Sequence, residues 1–214
     1  MFHKEKKWIV EKLESIVELG TTAIDIGSDT PEYREIQQPY IFDLYRYLMF
    51  DRGITISTLD INPETEADFI CDLSQNQLPH ELGTYDLVIC SNFLEHVEES
   101  GLQTARNHIL NMTDKYLVVT VPYNLPHHGR PIDNMFRPTI EELINFFPEL
   151  VPICALNWVD EHYRELFISN PNLAPYPEVT GVIFLKPNYS LCPVNQIVFW
   201  VIIETNIGFR EVLP

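Results

Sequence analysis

Tyr85-Asp86-Leu87-Val88-Ile89-Cys90-Ser91-Asn92-Phe93-Leu94-Glu95-His96-Val97 is the stretch on which the fold reading turns. Its first six residues form a near-continuous apolar, β-prone run, the pattern of a strand covered on both faces. Ser91-Asn92 ends the run, and Leu94-Glu95-His96-Val97 opens a helical turn. Upstream, Ala67 to Ile70 is a weak strand and Ile54-Thr55-Ile56-Ser57-Thr58-Leu59-Asp60 a stronger one. Gln38 to Phe50 has helical periodicity and is stopped by Asp51-Arg52-Gly53. Thr21-Thr22-Ala23-Ile24-Asp25-Ile26-Gly27 is a short strand ending on glycine, and Trp8 to Leu19 is a helix closed by Gly20. Downstream, a helix is expected over Gly101 to Met112, a strand over Tyr116 to Val121, and a helix over Thr139 to Phe147. Thr139 stands at the N-cap of the last and Glu142 in the capping-box position. Strands separated by helices predict an α/β fold, a mostly parallel sheet with helices on both faces. The last third differs. Val179 to Leu185 and Gln196 to Glu204 are β-prone and joined by the turn-rich Lys186-Pro187-Asn188-Tyr189-Ser190, which predicts an antiparallel strand pair.

The chain has 214 residues, a length that suits one domain. The expected division is an N-terminal helix over 5–19, a ligand-binding half over 20–121, a substrate-side loop over 122–138, and a C-terminal helix and hairpin over 139–214. Its formal net charge of −17 argues against nucleic acid or anionic lipid as a partner, since both would be repelled. No N-terminal segment has the pattern of a signal peptide, and the apolar run Ile197 to Ile203 is too short to span a membrane. Cys71, Cys90, Cys154 and Cys192 are scattered without a CxxC pair, so no zinc site is expected. The expected compartment is the cytoplasm.

Ligands of open α/β sheets sit at the carboxyl ends of the strands, beside the point where strand order reverses. Three strand ends carry residues suited to that place. Ala23-Ile24-Asp25-Ile26-Gly27-Ser28-Asp29 puts a glycine where the backbone must turn tightly, with Asp25 able to orient the turn or a bound ammonium. The dinucleotide fingerprint G-x-G-x-x-G is missing, because Asp29 stands where a second glycine is usual. Leu59-Asp60-Ile61-Asn62 ends the second strand on a carboxylate whose two oxygens can accept both hydroxyls of a ribose. Phe69-Ile70-Cys71-Asp72-Leu73 offers a carboxylate for an adenine amino group and an apolar cover for the ring. Each segment alone is also compatible with an ordinary strand-to-loop turn.

With the LEHV element after the fourth strand, the sequence resembles the class I S-adenosylmethionine-dependent methyltransferases. The resemblance lies in a D-x-V/I-x-x-x-x-x-L-E-H-V pattern and covers roughly residues 21–121. It implies a Rossmann-like seven-stranded sheet with its final pair antiparallel, and S-adenosylmethionine as cofactor. By position, Asp25, Gly27 and Ser28 resemble the loop around the methionine part, and Asp60 the ribose-binding acid. Ile61, Asp72 and Leu73 are similarly placed to the adenine pocket, and Ser91 and Asn92 to the segment lining the methionine end. His96 matches the family histidine. Two readings of it stand: a general base near the methyl acceptor, or a packed residue after the fourth strand.

A further segment leaves the fifth strand, Val121-Pro122-Tyr123-Asn124-Leu125-Pro126-His127-His128-Gly129-Arg130-Pro131-Ile132-Asp133-Asn134-Met135-Phe136-Arg137-Pro138. Its prolines hold a loop in shape at low entropic cost. Its P-I-D-N-M-F-R-P core resembles a stretch of bacterial methyltransferases, some of them similar to those of surface-glycan pathways. Either it is a substrate lid, with His127 or His128 as base and Tyr123, Asp133, Asn134 and Arg137 binding substrate, or its charges pair among themselves, Asp133 with Arg137. The combined expectation is methyl transfer to a small molecule or sugar, at oxygen. Two alternatives stay open. One is a non-catalytic module with weakened cofactor binding, which Asp29 favours. The other is a nicotinamide-dependent oxidoreductase, which the single glycine and the LEHV element disfavour.

Overall fold

A computed structural model describes residues 3–125, 127, 133–159 and 178–187. In chain order the elements are α1 (His3–Glu14), β1 (Thr22–Ile26), α2 (Pro39–Arg46), β2 (Thr55–Asp60), β3 (Phe69–Ile70), β4 (Tyr85–Ser91), α3 (Leu102–Met112), β5 (Thr113–Pro122), α4 (Ile140–Phe146), β6 (Val151–Val159) and β7 (Glu178–Leu185). The strands form one seven-stranded sheet in the order β3-β2-β1-β4-β5-β7-β6. From β3 to β5 every neighbouring pair is parallel, and β7 runs antiparallel to both of its neighbours. This is a Rossmann-like α/β sheet whose strand order reverses between β1 and β4, which opens a crevice at their carboxyl ends.

The two faces of the sheet bury separate cores, as the unbroken apolar runs of β1, β4 and β5 require. Ile24, Val88, Leu117, Val119 and Phe184 face α3 and α4, together with Leu143 and Phe147. Ala23, Leu87, Ile89, Val118 and Ile183 face α1 and α2, together with Trp8, Ile9, Leu13 and Leu44. On the second face Trp8 and Trp158 meet over Gly181, where an added Cβ would lie 2.9 Å from a ring atom of each. Thr139 and Glu142 close the expected capping box at the start of α4.

Two expectations are corrected. The antiparallel partner of β7 is β6, and β5 occupies its other edge, so β7 has no free edge for Gln196 to Glu204. That segment lies outside the described residues. Helix α1 stops at Glu14 rather than Leu19. Arg52 takes over its end, donating from Nη1 to the Leu13 carbonyl at 2.6 Å and from Nη2 to the Ile16 carbonyl at 2.7 Å, which leaves Val17 exposed. The helical turn expected at Leu94 is a single 3-10 turn, Leu94–His96, followed by extended Val97, and the helix expected from Gly101 begins at Leu102. Among the described residues no helix is long and apolar enough to cross a membrane.

Candidate cofactor crevice at the strand tips

At the end of β1 the chain turns through Gly27, whose φ of +74° favours glycine. Its N–H and that of Ser28 donate to the Leu59 carbonyl at 2.8 and 3.3 Å, which ties the loop to the tip of β2. The Phe93 ring makes the close approach at this glycine, and an added Cβ would stand 2.9 Å from its Cδ2. Ser28 is fully buried, and its Oγ has no partner among the described residues.

Asp29 adopts φ +59° where a glycine would be at ease. Three contacts hold it there. Its N–H donates to Asp60 Oδ2 at 3.0 Å, its Oδ1 accepts from the Thr30 N–H at 2.6 Å, and its carbonyl accepts from Arg34. Arg34 also donates to the Ser28 carbonyl at 3.1 Å. Asp60 Oδ1 accepts from the Asn62 N–H at 2.9 Å, so each Asp60 oxygen holds one backbone donor and keeps a second lone pair. The carboxylate therefore stands at the strand tip, turned toward the loop that follows β1.

Asp25 lies beneath this loop, buried, with Tyr45 donating its hydroxyl to Oδ2 at 2.5 Å. Burial pushes the Asp25 carboxyl up to about 6, with the Tyr45 bond opposing. Next to Asp60, the Cys71 N–H donates to the Asp60 carbonyl at 2.9 Å, which brings Asp72 alongside. Asp72 accepts from Ser74 N–H at 2.8 Å and Gln75 Nε2 at 3.0 Å. Ile61 is 62 % exposed beside it, whereas Leu73 points the other way into the core that holds Leu94 and Val97. The expected apolar cover from Leu73 is thus replaced by core packing.

At the tip of β4, Ser91 and Asn92 converge on a residue that the sequence reading did not single out. Glu5 of α1 is fully buried and accepts from Ser91 Oγ at 2.7 Å, from Thr120 Oγ1, and from Asn92 Nδ2 at 3.2 Å on each oxygen. The available signal was its spacing: Glu5, Trp8 and Ile9 are placed on one helical face. Tyr45, Arg34 and Phe93 were also missed.

The LEHV turn contains a second buried carboxylate. Burial pushes Glu95 up to about 8, with Glu5 and Asp133 adding and Arg137 opposing. Its Oε2 has no partner among the described residues, and its Oε1 lies 3.8 Å from His96 Nε2. His96 is half-buried, Tyr123 is half-buried with its N–H on the Glu178 carbonyl at 2.8 Å, and His127 is exposed. His128 lies outside the described residues. Asn134 is committed to the LEHV turn, donating from Nδ2 to the Leu94 and Val97 carbonyls at 2.9 and 2.6 Å. Asp133 and Arg137 pair with each other at 2.7 Å, both buried, and Arg137 Nε also donates to the Leu125 carbonyl at 3.2 Å. Asn134 ties the loop to the LEHV turn, and Arg137 ties Asp133 to Leu125 within the loop, as in the reading that pairs its charges.

No family model and no curated protein sequence matches the chain. Solved structures do. Magnesium protoporphyrin IX methyltransferase from Synechocystis PCC 6803 with bound SAH is 13 % identical, with a TM-score of 0.54 over 86 % of this chain and 82 % of that one. A SAM-dependent methyltransferase from Archaeoglobus fulgidus is 13 % identical, with a TM-score of 0.51 over 85 % and 94 %. The small RNA methyltransferase HEN1 is 16 % identical, with a TM-score of 0.56 over 87 % of this chain and 26 % of that one. The fold of this chain is the class I S-adenosylmethionine-dependent methyltransferase fold.

Proposed function

From a chain with the class I methyltransferase fold, we propose an S-adenosylmethionine-dependent methyltransferase acting on a hydroxyl of a small molecule or sugar. The observation that carries the reading is Asp60, whose carboxylate stands at the tip of β2, turned toward the loop that follows β1, with a free lone pair on each oxygen. The residues present fit the cofactor. Asp60 would hold the ribose hydroxyls, Asp72 the adenine amino group, and the buried unpartnered oxygens of Ser28 and Asn92 would accept from the methionine ammonium. When bound, the cofactor supplies a methyl group already activated by positive sulfur. The protein then has to align the acceptor with that methyl group and keep water away. His96, half-buried at the LEHV turn, is the candidate to take the hydroxyl proton on an imidazole nitrogen, with His127 and His128 as alternatives from the loop. A net charge of −17 supports a neutral or cationic acceptor over a nucleic acid.

Calorimetric titration with S-adenosylmethionine and S-adenosylhomocysteine tests the reading. Folded protein that releases no heat with either would overturn it. Asp60→Ala should weaken binding by about 1–3 kcal/mol, and an unchanged affinity would remove the ribose role. A second reading, a binding module without turnover, draws on the Phe93 ring seated on Gly27. Tight binding with no methylation across a broad panel of hydroxyl acceptors would favour it.

A further inference from the structure

Helix α1 begins with the charged run His3-Lys4-Glu5-Lys6-Lys7, yet Glu5 is fully buried. One turn later Trp8 and Ile9 sit against the sheet, and the same helical face carries Glu5 to the carboxyl ends of β4 and β5. There it takes hydroxyl bonds from Ser91 and Thr120, which are register partners on the two strands. Ile26 pairs with Cys90, so one residue on, Gly27 and Ser91 stand side by side. Glu5 therefore puts a carboxylate under the crest of the crevice, next to the turn assigned to the methionine end of the cofactor.

The crest above it is also short of donors. Asn92 spends its amide hydrogens on Glu5, and its buried Oδ1 has no partner among the described residues. Ser28 Oγ, fully buried between the tips of β1 and β2, has none either. A buried amide oxygen without a partner, such as Asn92 Oδ1, calls for a group that donates a hydrogen bond, and the Ser28 hydroxyl is able to accept from one as well.

We propose that Glu5 makes this site discriminate by charge, binding the cationic methyl donor in preference to its neutral sulfide product. The inference rests on the cofactor reading above and adds a residue and a consequence. A negative group held near the sulfur favours the sulfonium and loses that attraction once the methyl group has left, so product is released more readily than substrate. The carboxylate does not touch the reacting atoms; it acts through the field at the β4 tip.

The test is the ratio of dissociation constants for S-adenosylhomocysteine and S-adenosylmethionine, measured by calorimetry. Glu5→Gln keeps one acceptor oxygen and the side-chain shape while removing the charge. It should lower the ratio about tenfold, chiefly by weakening S-adenosylmethionine, whereas Glu5→Asp should leave the ratio within about twofold. Equal loss of both ligands in Glu5→Gln would make Glu5 a structural brace and overturn the inference. If Glu5→Gln does not fold, the wild-type protein still decides. An analogue with a protonated amine in place of the sulfonium should bind like the donor, and binding no tighter than the sulfide would overturn the inference. If wild-type protein binds donor and sulfide equally, the charge preference fails while the cofactor reading stands. If it binds neither, both fall.

Discussion

Glu95 turns the burial of one carboxyl into a pH dependence of the whole fold. Below about 4.5 the group is protonated in folded and unfolded chains alike, and between about 4.5 and 8 only the unfolded chain ionises it. Ionisation stabilises the unfolded state, so the contribution to stability is fully present below 4.5 and is lost as pH rises through 8. At about 1.4 kcal/mol for each pH unit, that window has a ceiling of about 5 kcal/mol. Relaxation around the buried group brings the expected effect to about 2–4 kcal/mol. Glu95→Gln removes the titration and keeps the volume. Urea unfolding of both proteins, followed by tryptophan fluorescence from about pH 5 to about pH 9, isolates the effect as their difference. Contributions from other groups, including Asp25, largely cancel in it. The wild type should lose stability relative to Glu95→Gln across that range. A difference that stays flat would show that Glu95 ionises like an exposed carboxylate and that the burial argument for the LEHV turn is wrong.

Two other changes have defined outcomes. Gly27→Ala combines a φ of +74° with a Cβ position 2.9 Å from Phe93 Cδ2. It should cost about 1–3 kcal/mol in thermal or urea unfolding and abolish measurable cofactor binding; unchanged stability would mean the loop relaxes freely. Asp86 accepts from the N–H groups of Thr21 and Thr22 at 2.7 and 3.1 Å and pairs with Lys115 at 2.8 Å. Desolvation pushes its carboxyl up, but Lys115 and the two N–H bonds outweigh it and hold it at about 2. Its contribution is present above 3.8 and is lost as pH falls through about 2. Asp86→Asn should cost about 1–3 kcal/mol at neutral pH and much less near pH 2, as read by acid unfolding.

The parts of the fold legible in the sequence are those where a single rule acts alone. β4 and β5 are buried on both faces, so their apolar runs have no competing explanation. β6 went unread because it is, among the described residues, an edge strand, and it contains Pro152, Asn157 and Trp158. Its register shifts between Pro152 and Cys154, where a proline without an N–H can be accommodated. β3 has only two residues, Phe69 and Ile70, too few for a pattern to separate from chance. At the crevice, carboxylates on strand ends were visible because strand ends themselves were visible. Glu5 and Tyr45 reach the crevice from helices, and only tertiary packing brings them to Ser91 and Asp25. The proline-rich loop could be read two ways, and the choice for Asp133 depended on whether Arg137 lay within reach.

β7 lies between β5 and β6, yet it is the last of the three to be made. During synthesis β6 leaves the ribosome with no neighbour to hydrogen-bond, since its sole pairing among the described residues is with β7. A nascent chain halted between these strands offers the open backbone of both β5 and β6 to other strands. The sheet closes only when the late strand slides into the gap and zips both edges together, so premature stops just ahead of β7 should yield aggregates rather than a smaller folded protein.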